Sequence, residues 1–215
     1  TPMQRLVQGD VGSGKTIVAA LAVLEAVSAG YQAVMMAPTE LLAEQHFKTF
    51  TAWLAPLGVN LGWCVGKQKA ADRKVMLADL AEGKIQVAVG THALFQNEVI
   101  FDHLGLVVID EQHRFGVHQR LALRDKGKKA SVFPHQLVMT ATPIPRTLAM
   151  TAYADLNVSV IDELPPGRTA ITTVVIPDSR RNDIIERVHL ACQEKRQVYW
   201  VCTLVEESEH LQCQA

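Results

Sequence analysis

The segment Gly9–Thr16 constrains the fold of this chain more than any other part of its sequence. It reads GDVGSGKT and matches the pattern G-x-x-x-x-G-K-[ST] at every specified position. Residues 5–8, which precede it, read as a short strand, and residues 16–24, which follow it, read as a helix. The motif requires this order of strand, loop and helix. The segment is therefore predicted to be a phosphate-binding loop, the alternative being an ordinary glycine turn that caps a helix.

The residue types of this loop suit an anion. Gly12 and Gly14 let the backbone approach a phosphate closely, so that successive N–H groups can point at it. The helix that begins near Lys15 adds its positive N-terminal end. Lys15 is predicted to reach the β and γ phosphates, and the Thr16 hydroxyl to bind Mg²⁺. The predicted nucleotide-binding residues are Gly9, Asp10, Val11, Gly12, Ser13, Gly14, Lys15, Thr16 and, from the other half of the site, Asp110.

The rest of the chain alternates apolar runs with amphipathic stretches, which is typical of βαβ units and a parallel sheet. Buried strands are predicted at residues 5–8, 32–36, 60–65, 86–90, 104–109 and 136–140. Helices are predicted after the loop, from the N-cap residue Thr39, and over residues 67–82. The predicted fold class is α/β, with a mostly parallel sheet flanked by helices.

A change of composition at residues 163–168 predicts a domain boundary. This stretch reads ELPPGR, and two prolines followed by a glycine are typical of a linker. We predict a first domain over residues 1–162, a linker over 163–169, and the N-terminal part of a second α/β domain over 170–215. In that second part, strands are predicted at 171–176 and 197–201 and a helix at 179–195.

Charge and cysteine content exclude several classes of protein. With 21 basic and 22 acidic residues the net charge is −1, so any contact with nucleic acid has to come from a local surface. The cysteines form no C-x-x-C pair, which argues against a zinc site and a disulfide framework and favours a reduced, cytoplasmic compartment. They are Cys64, Cys192, Cys202 and Cys213. The sequence contains no leader and no apolar helix of membrane-spanning length, so we expect a soluble protein.

An acidic pair follows the most apolar of the predicted strands. Asp110 and Glu111 come directly after residues 107–109, at the end of a strand where open α/β sheets bind ligands. Asp110 is predicted to hold the water shell of Mg²⁺, and Glu111 to accept a proton from the attacking water. Taken alone, such a pair is more often a solvated loop. Together with the phosphate loop, it predicts that Lys15 and Asp110 grip one magnesium-bound triphosphate from neighbouring strand ends.

The run Asp110-Glu111-Gln112-His113 resembles the DEAD/DEAH-type box of superfamily two helicases and translocases. Three further segments resemble motifs of that family in the required order, namely residues 37–45, 90–94 and 140–143. The longer strings at residues 9–16, 110–117 and 140–148 resemble the RecG family of bacterial branched-DNA helicases. The resemblance covers nearly the whole chain and implies a RecA-like first motor domain followed by the beginning of a second.

The resemblance also implies roles for individual residues. The implied catalytic residues are Lys15, Asp110, Glu111 and His113. The residues implied to contact DNA or to couple it to hydrolysis are Pro38, Thr39, Gly90, Thr91, His92, Thr140, Ala141, Thr142 and Arg146. For Thr39 and Thr91 the alternative is helix capping, and Arg146 can serve DNA or structure. His113 could bridge from Glu111 towards Thr140 or Thr142, whereas the other seven histidines are scattered and suggest no metal site.

The activity implied by the resemblance is ATP-dependent movement along double-stranded DNA, with ATP and Mg²⁺, at Holliday junctions and stalled forks in recombination and repair. We expect a monomer in the bacterial cytoplasm. In the family a second motor half supplies an arginine to the transferred phosphoryl group, so these 215 residues alone are expected to bind nucleotide and hydrolyse it slowly. Two alternatives stay open: a transcription-repair coupling factor, whose box usually has Glu where this chain has Gln112, and a nucleotide-gated binding module.

Overall fold

The computed structural model describes residues 2–66, 68–111, 133–142, 156–163, 165, 167–169 and 171–201. Its contacts divide the chain into two compact units, residues 1–168 and 169–215. The strands of the first unit are β1 (Gln4–Gly9), β2 (Gln32–Met36), β3 (Leu61–Cys64), β4 (Val87–Gly90), β5 (Leu104–Asp110), β6 (His135–Thr140) and β7 (Asn157–Ile161). Its α-helices are α1 (Lys15–Ser28), α2 (Glu40–Leu54) and α3 (Ala70–Ala81), with short 3₁₀ helices at Ala55–Leu57 and His92–Phe95.

The seven strands form one sheet in the order β3-β4-β2-β5-β6-β1-β7. Every pair in it is parallel. The predicted α/β fold class with a parallel, helix-flanked sheet is therefore confirmed. In a parallel sheet all strands end on the same side, which we call the C-terminal edge. The phosphate loop, Asp110 and Thr140 all lie at this edge.

Side chains of the central strands alternate between two separate cores, as the period of two in a strand requires. On β5, Leu106 and Val108 pack in one core, together with buried residues of α1 and α2. Val107 and Ile109 pack in the other, together with buried residues of α3. Both faces of β5 are thus covered, which explains its continuously apolar sequence.

Helices α1 and α2 begin where the sequence predicts. Gly14 precedes α1, and Thr39 caps α2 by accepting a hydrogen bond from the Leu42 N–H at 3.3 Å. The helix predicted over residues 67–82 is the shorter α3. In the parts of the chain that the structure covers, no helix combines the length and apolar character needed to span a membrane.

Strand β7 is the one element of the sheet that the sequence pattern did not predict. It lies at the sheet edge beside β1, and its residues are exposed or half-buried, so it lacks the apolar run that marks the inner strands. The Arg5 guanidinium of β1 donates to the Ser159 hydroxyl of β7 at 2.7 Å. A polar contact of this kind leaves no signature in hydrophobic periodicity.

The second unit contains a 3₁₀ helix at Asp178–Arg180 that leads into helix α4 (Arg181–Gln193). The helix predicted over 179–195 is therefore confirmed with shorter ends. The strands predicted at 171–176 and 197–201 are wrong: the structure assigns neither segment to a sheet. Val175 is 96% exposed and Val201 is 91% exposed. A strand needs a neighbour for its backbone groups, and an apolar sequence alone does not provide one.

Candidate nucleotide site and the adjoining strand ends

The loop between β1 and α1 adopts a conformation that only glycine accepts readily. Gly12 has a φ of 83° and Gly14 a φ of 95°, both in the left-handed region. The Asp10 side chain folds back onto the loop, where its Oδ1 accepts a hydrogen bond from the Val11 N–H at 2.7 Å. The Ser13 N–H donates to the Asp10 carbonyl at 3.1 Å. The glycines of the motif are therefore explained by backbone geometry.

Lys15 lies along the inside of this loop. Its Nζ donates to the Gly9 carbonyl at 2.7 Å and to the Asp10 carbonyl at 2.8 Å. The Ser13 Oγ is buried, and no hydrogen-bond partner for it lies among the described residues. A cationic side chain, an unpartnered buried hydroxyl and a helix N-terminus converge here, and together they suit the phosphates of a nucleotide.

The segment that ends the first unit lies against the loop. The Arg168 guanidinium is 2.6 Å from the Asp10 carboxylate, and it also donates to the Val11 carbonyl at 3.3 Å. A Cβ placed on Gly12 would lie 3.5 Å from the Pro165 ring. The phosphate loop and the segment that ends the first unit are therefore in direct contact.

Asp110 ends β5, and its carboxylate has a partner that the sequence pattern did not suggest. The His46 Nε2 lies 2.7 Å from the Asp110 Oδ2. His46 is only 8% exposed, on the face of α2 that also buries Ala43, Phe50 and Leu54. The helical spacing of His46 with these three residues could have shown that its side chain points inwards. His46 is one of the scattered histidines for which no role is predicted from the sequence. The carboxylate of Asp110 and the hydroxyl of Thr16 are hard oxygen ligands of the kind that Mg²⁺ prefers.

Glu111 is bound by the end of β6. Its Oε2 accepts a hydrogen bond from the Thr140 hydroxyl at 3.0 Å, and its Oε1 accepts one from the Ala141 N–H at 3.1 Å. The Thr142 N–H in turn donates to the Thr140 hydroxyl at 3.1 Å. Glu111 has a φ of 49°, a backbone conformation that residues other than glycine rarely adopt. Glu111 itself is thus linked to Thr140, and the link predicted for His113 stays a prediction because His113 lies outside the described residues.

The two halves of the site lie at the same edge but not on neighbouring strands. Strand β6 lies between β1 and β5, so the expectation that Lys15 and Asp110 follow adjacent strands is wrong. The register pairs Gln8 with Thr140 on one side of β6 and Asp110 with Met139 on the other. Two strand spacings are about 10 Å. The sequence could not predict this insertion, because β6 comes later in the chain than both strands that it separates.

The residues implied to face DNA follow β2 and β4, on the other side of β5. Thr39 is exposed and Pro38 is half-buried. Thr91 is only 2% exposed, and no partner for its hydroxyl lies among the residues that the structure covers. A Cβ on Gly90 would lie 1.8 Å from the Cys64 carbonyl oxygen, which explains the glycine by packing. In the segment 90–94, the exposed side chain is that of His92. Gln112 and Arg146 lie outside the described residues.

Comparison with known proteins shows the family of this chain. The chain belongs to the DEAD/DEAH box helicase family, whose model matches residues 3–151.

Within that family, the chain is 67% identical over all 215 residues to the ATP-dependent DNA helicase RecG of Escherichia coli (strain K12). Over the same length it is 64% identical to that of Haemophilus influenzae. It is 50% identical over 214 residues to the RecG of Aquifex aeolicus. The resemblance to RecG predicted from the motifs is confirmed. The chain spans 31% of the length of the first two relatives and 27% of the third.

Solved structures of other proteins share the fold of this chain. The structure of RecG bound to a three-way DNA junction matches 90% of this chain and 25% of that chain, with a TM-score of 0.72 and 42% identity. The helicase domain of Pyrococcus furiosus Hef matches 74% of this chain and 35% of that chain, with a TM-score of 0.56 and 20% identity. At that identity the second match shows a shared fold alone.

Proposed function

We propose that this chain is the ATP-binding motor domain, with the beginning of a second motor domain, of an ATP-dependent translocase or helicase that acts on branched double-stranded DNA. Its relatives named RecG support this, as does a structure of one of them with a three-way junction. Holliday junctions and stalled forks are the proposed substrates, and recombination and repair the proposed processes. We further propose that the full protein acts as a monomer in the bacterial cytoplasm.

The observation that carries the proposal is the arrangement at the C-terminal edge of the sheet. The phosphate loop follows β1, the acidic pair follows β5, and β6 between them binds Glu111 through Thr140. A simple phosphate site does not need that last contact. In a motor, the contact would link the proposed base to the end of β6, the segment proposed to couple hydrolysis to DNA.

The proposed roles follow from the positions of the side chains. Lys15 would bind the β and γ phosphates once released from the Gly9 and Asp10 carbonyls. Thr16 and Asp110 would hold Mg²⁺, which neutralises charge on the phosphates when bound. Glu111 would take the proton of the attacking water, and its carboxylate accepts from the Thr140 hydroxyl and the Ala141 N–H. His113 remains a proposed catalytic residue on its motif alone.

DNA contacts are proposed at the strand ends beyond β5. Exposed Thr39 and His92 can donate to phosphate oxygens, which hold a duplex without reading its sequence. Thr140, Ala141 and Thr142 are proposed to couple these contacts to hydrolysis. The proposed domain division is residues 1–162, a linker at 163–169, and residues 170–215.

The test uses the full-length protein that contains this chain. We expect ATP hydrolysis to rise on addition of a three-way or four-way junction, and Lys15→Ala to abolish the rise without lowering the melting temperature. Absence of any stimulation by DNA in the wild type would contradict the proposal and favour a nucleotide-gated binding module. The 67% identity to RecG favours neither the binding module nor a transcription-repair coupling factor. Capture of RNA polymerase by the full-length protein would instead support a coupling factor.

A further inference from the structure

His46 connects the helix that follows the proposed DNA-contacting segment to the acidic pair of the nucleotide site. Helix α2 begins directly after Thr39, and His46 lies about two turns further along it. Its ring reaches the end of β5, where Nε2 is 2.7 Å from the Asp110 Oδ2. The side chains are 11% and 13% exposed. Water therefore competes little for this hydrogen bond.

The chemistry of the pair fixes its direction. An ionised carboxylate can only accept, so the His46 Nε2 donates to it. Within the described part of the chain, no other side chain hydrogen-bonds to Asp110. The His46 ring is also held from the side by an edge contact with Phe50, with the ring centroids 6.4 Å apart. A donor that is itself held in place limits the rotation of the Asp110 carboxylate.

We propose that His46 is a positioning residue that orients the Asp110 carboxylate towards the Mg²⁺ of the bound nucleotide. This rests on the proposed function, because it assumes that Asp110 serves that ion. With Oδ2 bound by His46, Oδ1 would be the oxygen available to the metal or its water shell. Groups that orient metal ligands in this way typically contribute about 10- to 100-fold to metal affinity or activity.

A purely structural role for His46 makes a different prediction from a positioning role. If His46 only filled the core, replacing it would affect Mg²⁺ binding no more than replacing another buried residue on the same face of α2 with an equal loss of stability. Leu54 provides that control, because it is 3% exposed on the same face of α2, about two turns beyond His46.

The experiment measures binding of a non-hydrolysable ATP analogue to the full-length protein across a range of Mg²⁺ concentrations. For His46→Leu we expect the half-saturating Mg²⁺ concentration to rise about 10- to 100-fold, with affinity in the absence of Mg²⁺ unchanged. His46→Gln, whose amide nitrogen reaches as far as Nε2, should stay close to wild type. The shorter His46→Asn should resemble His46→Leu. Leu54→Ala should leave the Mg²⁺ dependence unchanged even where it lowers the melting temperature.

Two results would overturn the inference. One is an unchanged Mg²⁺ dependence in His46→Leu, and the other is an equal shift in Leu54→Ala. If His46→Leu does not fold, the pair His46→Gln and His46→Asn decides, and identical behaviour of the two refutes the positioning role. If the wild type itself binds no nucleotide in the presence of Mg²⁺, the proposed function fails and this inference fails with it. Normal binding by the wild type and by every His46 variant refutes this inference alone.

Discussion

Replacing Thr140 by valine removes a hydrogen-bond donor to the Glu111 carboxylate while keeping the shape of the side chain. The Thr140 hydroxyl donates to Glu111 at 3.0 Å, and because the residue is only 2% exposed, water has little access to replace this hydrogen bond. A hydrogen bond to a charged group is worth about 1.5–3 kcal/mol. With one decade of rate for about 1.4 kcal/mol, its full loss corresponds to about a 10- to 150-fold fall in turnover. The Ala141 N–H also donates to this carboxylate, so the expected fall is at the lower end of that range.

The assay is steady-state ATP hydrolysis by the full-length protein with saturating branched DNA. Thr140→Ser keeps the hydroxyl and should retain most of the activity. Thr51→Val is the matched control for the chemical change, because the Thr51 hydroxyl is buried and has no partner in the described part of the chain. If Thr140→Val hydrolyses ATP as fast as Thr51→Val, the Thr140 contact does not orient the base and the reasoning is refuted.

Two further predictions concern Glu111 and Gly90. Glu111→Gln should bind ATP and fail to hydrolyse it, because the amide cannot take a proton, while the Thr140 hydroxyl can turn round to accept from it; normal hydrolysis in the full-length protein would show that another group is the base. Gly90→Ala should lower the melting temperature, because its Cβ would lie 1.8 Å from the Cys64 carbonyl oxygen and such overpacking costs about 1–3 kcal/mol or more. Gly66→Ala, with nothing within 4 Å, is the control, and equal melting of the two variants would contradict the packing explanation.

The sequence predicts most of the sheet because its inner strands are covered on both faces. β5 is continuously apolar for that reason, and the glycines of the phosphate loop follow from local backbone geometry. Hydrophobic pattern measures the tendency of a segment to be buried and says nothing about its partner. It therefore missed the half-exposed edge strand β7 and predicted a strand at 171–176 where no partner strand pairs with it in the described structure.

Contacts across the site were harder to predict because they join residues far apart in the chain. His46 and Asp110 are 64 positions apart, and Glu111 and Thr140 are 29 apart. The motifs identified three of these four residues, since each has a recognisable neighbourhood. His46 has none, and only its spacing with Ala43, Phe50 and Leu54 shows that it faces the sheet.

The order of strands explains why the two acidic residues have different supports. Asp110 is held by His46 from α2, which begins beside the proposed DNA surface at Thr39. Glu111 is held by β6, which lies directly beside β1 and its phosphate loop. A movement of α2 therefore bears first on the proposed metal ligand, and a movement at the end of β6 bears first on the proposed base. The two adjacent carboxylates are thus held by different elements, Asp110 by α2 and Glu111 by β6.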